Sequence, residues 1–229
     1  MKKIFMPASV VALAISFTAA SASGLQSTTG KRSYAMGFET GKAMREHNIS
    51  IDQSAYALGM KEGLNGQPRA MSEAQIKATL IAFQKDSMQK FKQKFDHQAQ
   101  KNLMDGEKFL SANKLKKGVV TTASGLQYQI LVRGKGQKPV ASDKVTVDYE
   151  GTLINGHVFD SSYQRGKKAT FPVAAVIKGW QQALTMMPVG STWKIFVPAK
   201  LAYGKMGAPG AIGPNETLIF KVHLYSIQK

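Results

Sequence analysis

The chain contains no cysteine in 229 residues. That excludes disulfides, thiolate metal sites, a cysteine nucleophile and lipid attachment to a cysteine. Acids are scarce as well: 14 Asp+Glu stand against 31 Lys+Arg, a net charge of +17. The four histidines, His47, His97, His157 and His223, are scattered without metal-ligand spacing. No G-x-S-x-G elbow is present, and there is no phosphate-binding loop. Gly134-Lys135-Gly136 reads as a turn between strands. Beyond the N-terminus no apolar run is long enough to cross a ~30 Å hydrocarbon core. Little remains for nucleophilic or metal chemistry, and no metal or cofactor is implied.

What is present begins with an export signal. Lys2 and Lys3 precede an apolar stretch from Ile4 to Ala19, and Ala20-Ser21-Ala22 has the A-x-A form of a cleavage site. Residues 1–22 are therefore expected to be a signal peptide. A membrane anchor fits less well, because Pro7, Ser9, Ser16 and Thr18 interrupt the run. An exported protein without disulfides must fold on its core alone, and a hydrophobic content of 43% allows that. Export also argues against nucleic acid as the partner of the positive charge. Contact with anionic surfaces, or simple solubility, are the two readings left.

The remaining chain changes composition near Lys117. Before it, Ala, Met, Gln, Lys and Glu predominate; after it, Val, Ile, Gly, Pro and aromatics. Helices followed by strands make this an α+β chain. Three segments are expected after the signal: a helical dimerisation domain (23–70), a long connecting helix (71–114) and a sheet domain (115–229).

The helical segment repeats itself. Ser33–Gly41 matches Ala55–Gly63 in the Tyr, the Ala and both glycines, 22 residues apart. Each copy reads as a short helix. Asp52 is a suitable N-cap for the second, while Asn65-Gly66 and Pro68 end it. Glycine costs a helix ~1 kcal/mol against Ala, so two of them four apart point to close packing on another helix. The exposed faces would carry Tyr34, Met36, Phe38, Met44, Leu58, Met60 and Leu64. Methionine suits such contacts. A homodimer through residues 31–67 is the expectation; packing on the rest of the same chain is the alternative.

Ser72 and Gln75 form a capping box at the start of the third helix. From Glu73 to about Ala112 there is no proline and one glycine, Gly106. At 1.5 Å per residue that makes a rod of roughly 60 Å. Its apolar stripe is narrow, so it is expected to bridge two bodies through solvent, bending or fraying at Asp105-Gly106.

The C-terminal segment alternates with period 2. Leu126, Tyr128, Ile130 and Val132 form one set, and Val145, Val147 and Tyr149 another. Trp193, Ile195 and Val197, then Leu218, Phe220, Val222 and Leu224, complete the pattern. An antiparallel sheet wrapped on one short helix, Val176–Met187, is expected.

Three motifs in this segment carry a resemblance. VDYEGTLINGHVFDSS (147–162), VIKGW (176–180) and VPAKLAYGKMGAPGAIGPNETLIF (197–220) resemble the FKBP domain in order and spacing, over Thr121 to Lys229. The helical half resembles the macrophage infectivity potentiator (Mip) subgroup, exported dimers with a long connecting helix. The resemblance implies a peptidyl-prolyl cis/trans isomerase, active on proline-containing polypeptides of exported proteins, in the periplasm or at the outer cell surface. It implies catalytic roles for Asp160, Tyr203 and Trp180. It implies a substrate-binding set of Tyr149, Phe159, Phe171, Val176, Ile177, Ile212 and Phe220, with the Ile212 N–H and Tyr203 bonding substrate carbonyls. Macrolide-type inhibitors are implied for the same pocket. At position 208 the chain has Ala where the best-known small members have histidine, a difference that bears on inhibitor affinity and not on the reaction. A chaperone or adhesion module, gripping clients between two arms with incidental turnover, is the alternative.

Overall fold

The computed structural model describes residues 22–66 and 70–229. The segment read as an export signal, apart from Ala22, and Pro68 lie outside the described residues. Two compact units are present, one up to Ile76 and one from Lys77 onward.

In the first unit α1 spans Thr28–Glu46 and α2 spans Gln53–Asn65. Caps set the ends, as the sequence suggests. Asp52 accepts from the Ala55 N–H at 2.9 Å, and Gly66 closes α2 in the left-handed conformation at φ 61°. The first repeat lies in a helix of 19 residues, longer than expected, because the Ser27 side chain caps it further upstream by accepting from Gly30. Neither helix buries a single residue. Met36 and Leu64 are 67% and 81% exposed. A Cβ built on Gly37, Gly41, Gly59 or Gly63 would meet nothing within 4 Å. Among the described residues, the close packing that the glycines point to is therefore not made.

Helix α3 runs unbroken over Glu73–Asn113. Its capping box is formed: the Ser72 N–H donates to Gln75 Oε1 at 2.9 Å, and the Gln75 N–H to Ser72 Oγ at 3.2 Å. The helix is not a free rod throughout. Ala99, Asn102, Gly106 and Asn113 are buried, and their spacing places them on one face. That face docks on the sheet body. Asn102 Nδ2 donates to the Pro214 carbonyl at 2.8 Å, and Asn215 Nδ2 to the Ala99 carbonyl at 3.1 Å. Asn113 Nδ2 donates to Gln127 Oε1 at 3.0 Å, and Gln127 Nε2 to the Leu110 carbonyl at 2.9 Å. Gly106 corrects the expectation of a bend. A Cβ there would stand 2.3 Å from Thr217 Oγ1, so the glycine lets the helix approach the body closely at this point.

The body is an antiparallel sheet. Its strands are β1 (Val119–Thr121), β2 (Gln127–Val132), β3 (Lys144–Leu153) and β4 (Val158–Ser161). They are followed by β5 (Ala169–Pro172), β6 (Thr192–Val197) and β7 (Leu218–Gln228). The order is β1-β2-β6-β7-β3-β4. β5 shares the outer edge of β3 with β4: β5 pairs Lys144–Val147, and β4 pairs Glu150–Thr152. The short helix α4 (Lys178–Met186) buries Gly179, Trp180, Ala183 and Leu184 in the core with Val145, Val147, Ile195, Val222 and Leu224. Full burial of one such large side chain contributes roughly 1.5–3 kcal/mol. Val132 leaves the expected inward set and is 53% exposed, because a register shift between Ile130 and Val132 turns it off the face. No helix among the described residues is long and apolar enough to cross a membrane.

Candidate active site

Period 2 decides which residues of β3 reach the core. Val145, Val147 and Tyr149 point inward, and Tyr149 is 6% exposed. β4 brings Phe159 and Asp160 beside it, since Asp160 pairs with Gly151. Gly151 is required here: a Cβ would sit 2.7 Å from the Phe159 ring and 2.9 Å from Phe220. β5 adds Phe171, opposite Val145. β7 adds Phe220, opposite Gly151 on one side and Ile195 on the other. Helix α4 begins just after Ile177 and inserts Trp180 among them.

The result is a cavity of about 310 Å³, lined by Tyr149, Phe159, Asp160, Phe171, Ala175, Val176, Ile177, Trp180, Tyr203 and Phe220. The Trp180 ring is met edge-on by three others: Tyr149 at 5.3 Å, Phe171 at 6.1 Å and Phe220 at 5.3 Å between centroids. Phe159 meets Phe220 in the same manner at 5.6 Å. Edge-to-face contacts favour this arrangement and fix the rings. Its polar groups sit at the wall. Tyr149 Oη donates to Asp160 Oδ2, and Arg165 Nη1 donates to Asp160 Oδ1. Arg165 Nη2 donates to Tyr149 Oη at 2.9 Å, and the guanidinium lies over the Tyr149 ring at 5.5 Å. Burial first, and then the bond to Asp160, hold the Tyr149 phenol above the ordinary tyrosine range. Tyr149 thus stays a proton donor to Asp160. The bonds to Tyr149 and Asp160 push the Arg165 guanidinium up as well.

The structure brings together every sequence-predicted residue except one. Ile212 is not in the cavity wall. It is 8% exposed in the core, and its N–H donates to the Ala208 carbonyl at 3.0 Å within the loop's own bridge. That N–H is occupied and cannot hold a substrate carbonyl in this conformation. The Ile177 N–H, by contrast, has no acceptor among the described residues and stands at the cavity edge where the helix begins. The sequence reading also missed Arg165. Its signal is faint: one of five arginines in a lysine-rich chain, next to Gly166 in the turn after Asp160. A guanidinium fork suits a carboxylate in a way that lysine does not. Tyr203, 43% exposed, forms the rim. Among the described residues, no group of acidic residues and histidines is placed to hold a metal ion.

Comparison with known proteins agrees with this geometry. Residues 135–225 match the family of FKBP-type peptidyl-prolyl cis-trans isomerases, and residues 29–130 match the domain amino terminal to FKBP-type peptidyl-prolyl isomerase. The chain is 51% identical to peptidyl-prolyl cis-trans isomerase Mip of Coxiella burnetii, over the whole length of both. It is 48% identical to outer membrane protein MIP of Legionella longbeachae, over 100% of this chain and 99% of that one. The crystal structure of FkpA from Escherichia coli superposes with a TM-score of 0.71 at 34% identity, covering 89% of this chain and 98% of that one. An aromatic cavity on this sheet, in a chain alike from end to end, leaves one assignment: the chain belongs to the FKBP-type peptidyl-prolyl cis-trans isomerases, is itself such an isomerase, and has the Mip proteins among its relatives.

Proposed function

We propose that the enzyme accelerates folding of exported proteins by holding X-Pro segments in the aromatic cavity and favouring the twisted amide, without a covalent step. The observation that carries this reading is the Trp180 floor ringed by Tyr149, Phe171 and Phe220, with Asp160 pinned on one wall. An X-Pro bond turns over a barrier near ~18–20 kcal/mol, and uncatalysed exchange takes ~10–100 s. The planar amide is polarised by resonance, and the twisted form has lost that resonance. A dry apolar cavity therefore favours the twisted form, and tighter binding of that form is catalysis. Trp180 lies under the prolyl ring, and Phe159, Phe171, Val176 and Phe220 wall it. The Tyr203 hydroxyl and the free Ile177 N–H bond substrate carbonyls. Asp160 faces the twisting carbonyl, held by Tyr149 and Arg165. Macrolide-type inhibitors occupy the same space.

The unburied faces of α1 and α2 support a homodimer through residues 31–67. The N-terminal segment and the Mip relatives support export to the periplasm or the outer cell surface. A second reading, a surface that grips unfolded clients, is favoured by Leu80, Ile81, Phe83, Met88 and Phe91, all exposed on α3. The test is turnover of an Ala-Phe-Pro peptide by wild type, Asp160→Leu and Tyr203→Ala. Catalysis that collapses in both variants, with the fold intact, supports the cavity chemistry. Full activity in either overturns the role of that residue. Deleting residues 31–67 is expected to yield a monomer that still turns the peptide over; a dimer by sedimentation would sink the arm assignment.

A further inference from the structure

Tyr203 is carried by the long connection between β6 and β7, residues 198–217. Two single-turn helices, Ala199–Leu201 and Gly204–Met206, are its only regular structure. Between Tyr203 and Glu216 one side chain alone, that of Ile212, is buried. A loop of this length with so little burial needs ties elsewhere to hold one conformation. Tyr203 depends on them most. It is largely exposed, and its hydroxyl bonds no other described residue. The hydroxyl therefore stands where the backbone puts it.

The ties converge on Asn215. Its N–H donates to the Gly204 carbonyl, next to Tyr203, at 2.9 Å. Its Nδ2 donates to the Ala99 carbonyl of α3 at 3.1 Å. Its backbone is left-handed at φ 54°, a conformation that asparagine tolerates better than most residues. The neighbouring Pro214 carbonyl accepts from Asn102 Nδ2 at 2.8 Å, and Asn102 Oδ1 accepts from Gln98 Nε2 at 2.7 Å. The support on α3 is firm, because Ala99 and Asn102 are both buried. Lys205 adds an ion pair to Asp96 at 3.4 Å, but both side chains are exposed and such a pair contributes little. One asparagine thus joins the residue after Tyr203 to a buried turn of the long helix.

We propose that Asn215 is a positioning residue for the isomerisation. Through the Gly204 carbonyl it fixes Tyr203 where its hydroxyl meets the substrate carbonyl, with α3 as the support. The inference rests on Tyr203 bonding the substrate at the aromatic cavity. Asparagine fits both tasks. Glycine in its place would keep the left-handed backbone and lose the donor. Aspartate would keep the shape and set an oxygen against the Ala99 carbonyl. The long helix thereby serves the reaction, although none of its residues lines the cavity.

The test uses the full chain and exchange NMR on an Ala-Phe-Pro peptide, which needs no coupling protease. Asn215→Gly is expected to lower kcat/KM about three- to tenfold, the range of one hydrogen bond. Asn215→Asp should lower it at least as far. A double-mutant cycle separates positioning from plain structural support. In a Tyr203→Phe background no hydroxyl is left to place, so Asn215→Gly should change kcat/KM by less than about twofold. The same cycle is read on peptide binding by chemical-shift titration, so a slow Tyr203→Phe enzyme still gives an answer. An equal loss in both backgrounds, or no loss in the Asn215→Gly single variant, would overturn this inference alone. Full activity in Tyr203→Phe would overturn the role of that hydroxyl and the positioning role with it. No turnover by wild type would overturn the cavity reading as a whole.

Discussion

The two helices of the first unit and the sheet body treat their apolar side chains in opposite ways. The body hides Leu126, Val145, Val173, Leu218 and Leu224 completely. The helices α1 and α2 hide nothing, and present Tyr34, Met36, Phe38, Leu58 and Met60 to solvent. A body closed on itself has a self-sufficient fold. An arm with an open apolar face has its stability elsewhere, in whatever covers it. Function follows the same division, because the whole cavity is contributed by the closed part.

The sharpest test of the contrast is in the core. Leu184→Ala is expected to cost the body about 2–5 kcal/mol in urea unfolding followed by tryptophan fluorescence. A smaller loss comes at the junction of α3 and the body. Gly106→Ala drives a methyl into Thr217 and should cost about 1–3 kcal/mol despite the better helix propensity. Adding Thr217→Ala should recover part of it. A plain stabilisation by Gly106→Ala would show that the contact is not tight.

Phe38→Asp should leave the body's unfolding within about 0.5 kcal/mol of wild type, the range of surface substitutions. It should abolish self-association in sedimentation. A body destabilised to the same degree as by Leu184→Ala would break the contrast, since the arm's face would then be covered by the chain's own sheet. The smallest effect is electrostatic. Burial raises the Glu216 carboxyl above its ordinary value, against the pull of Lys101. The native state thus favours the protonated form, and its stability declines as pH rises from the unfolded value through the folded one. Glu216→Gln should therefore gain thermal midpoint over wild type at neutral pH and show no gain below the ordinary carboxyl range. A constant difference at all pH values would contradict that origin.

Much of this was legible without coordinates. The capping box at Ser72, the cap at Asp52 and the alternation in β3, β6 and β7 are local signals, and local physics suffices to read them. Four strands of the sheet and the order of motifs locate Tyr149, Phe159, Asp160, Trp180 and Tyr203 in one place. What escaped depends on partners distant in sequence. Gly106 reads as a weak point until Thr217 is seen against it, 111 positions further on. Val132 leaves its face because of one bulge. Arg165 looks like a solubilising charge unless the turn at Gly166 is known to fold it back. Ile212 and Ile177 differ in whether the backbone N–H is spent, which composition cannot reveal.

The two asparagine bonds at the end of the long helix have a mechanical meaning. Asn102 holds the Pro214 carbonyl, and Asn215 holds the Ala99 carbonyl, in opposite directions. Pro214 and Asn215 belong to the loop that also bears Tyr203, and the Asn215 N–H is tied to the Gly204 carbonyl at 2.9 Å. A torque applied along α3 thus reaches the lip of the cavity, one residue from Tyr203, as well as the sheet that its last turn holds through Gln127.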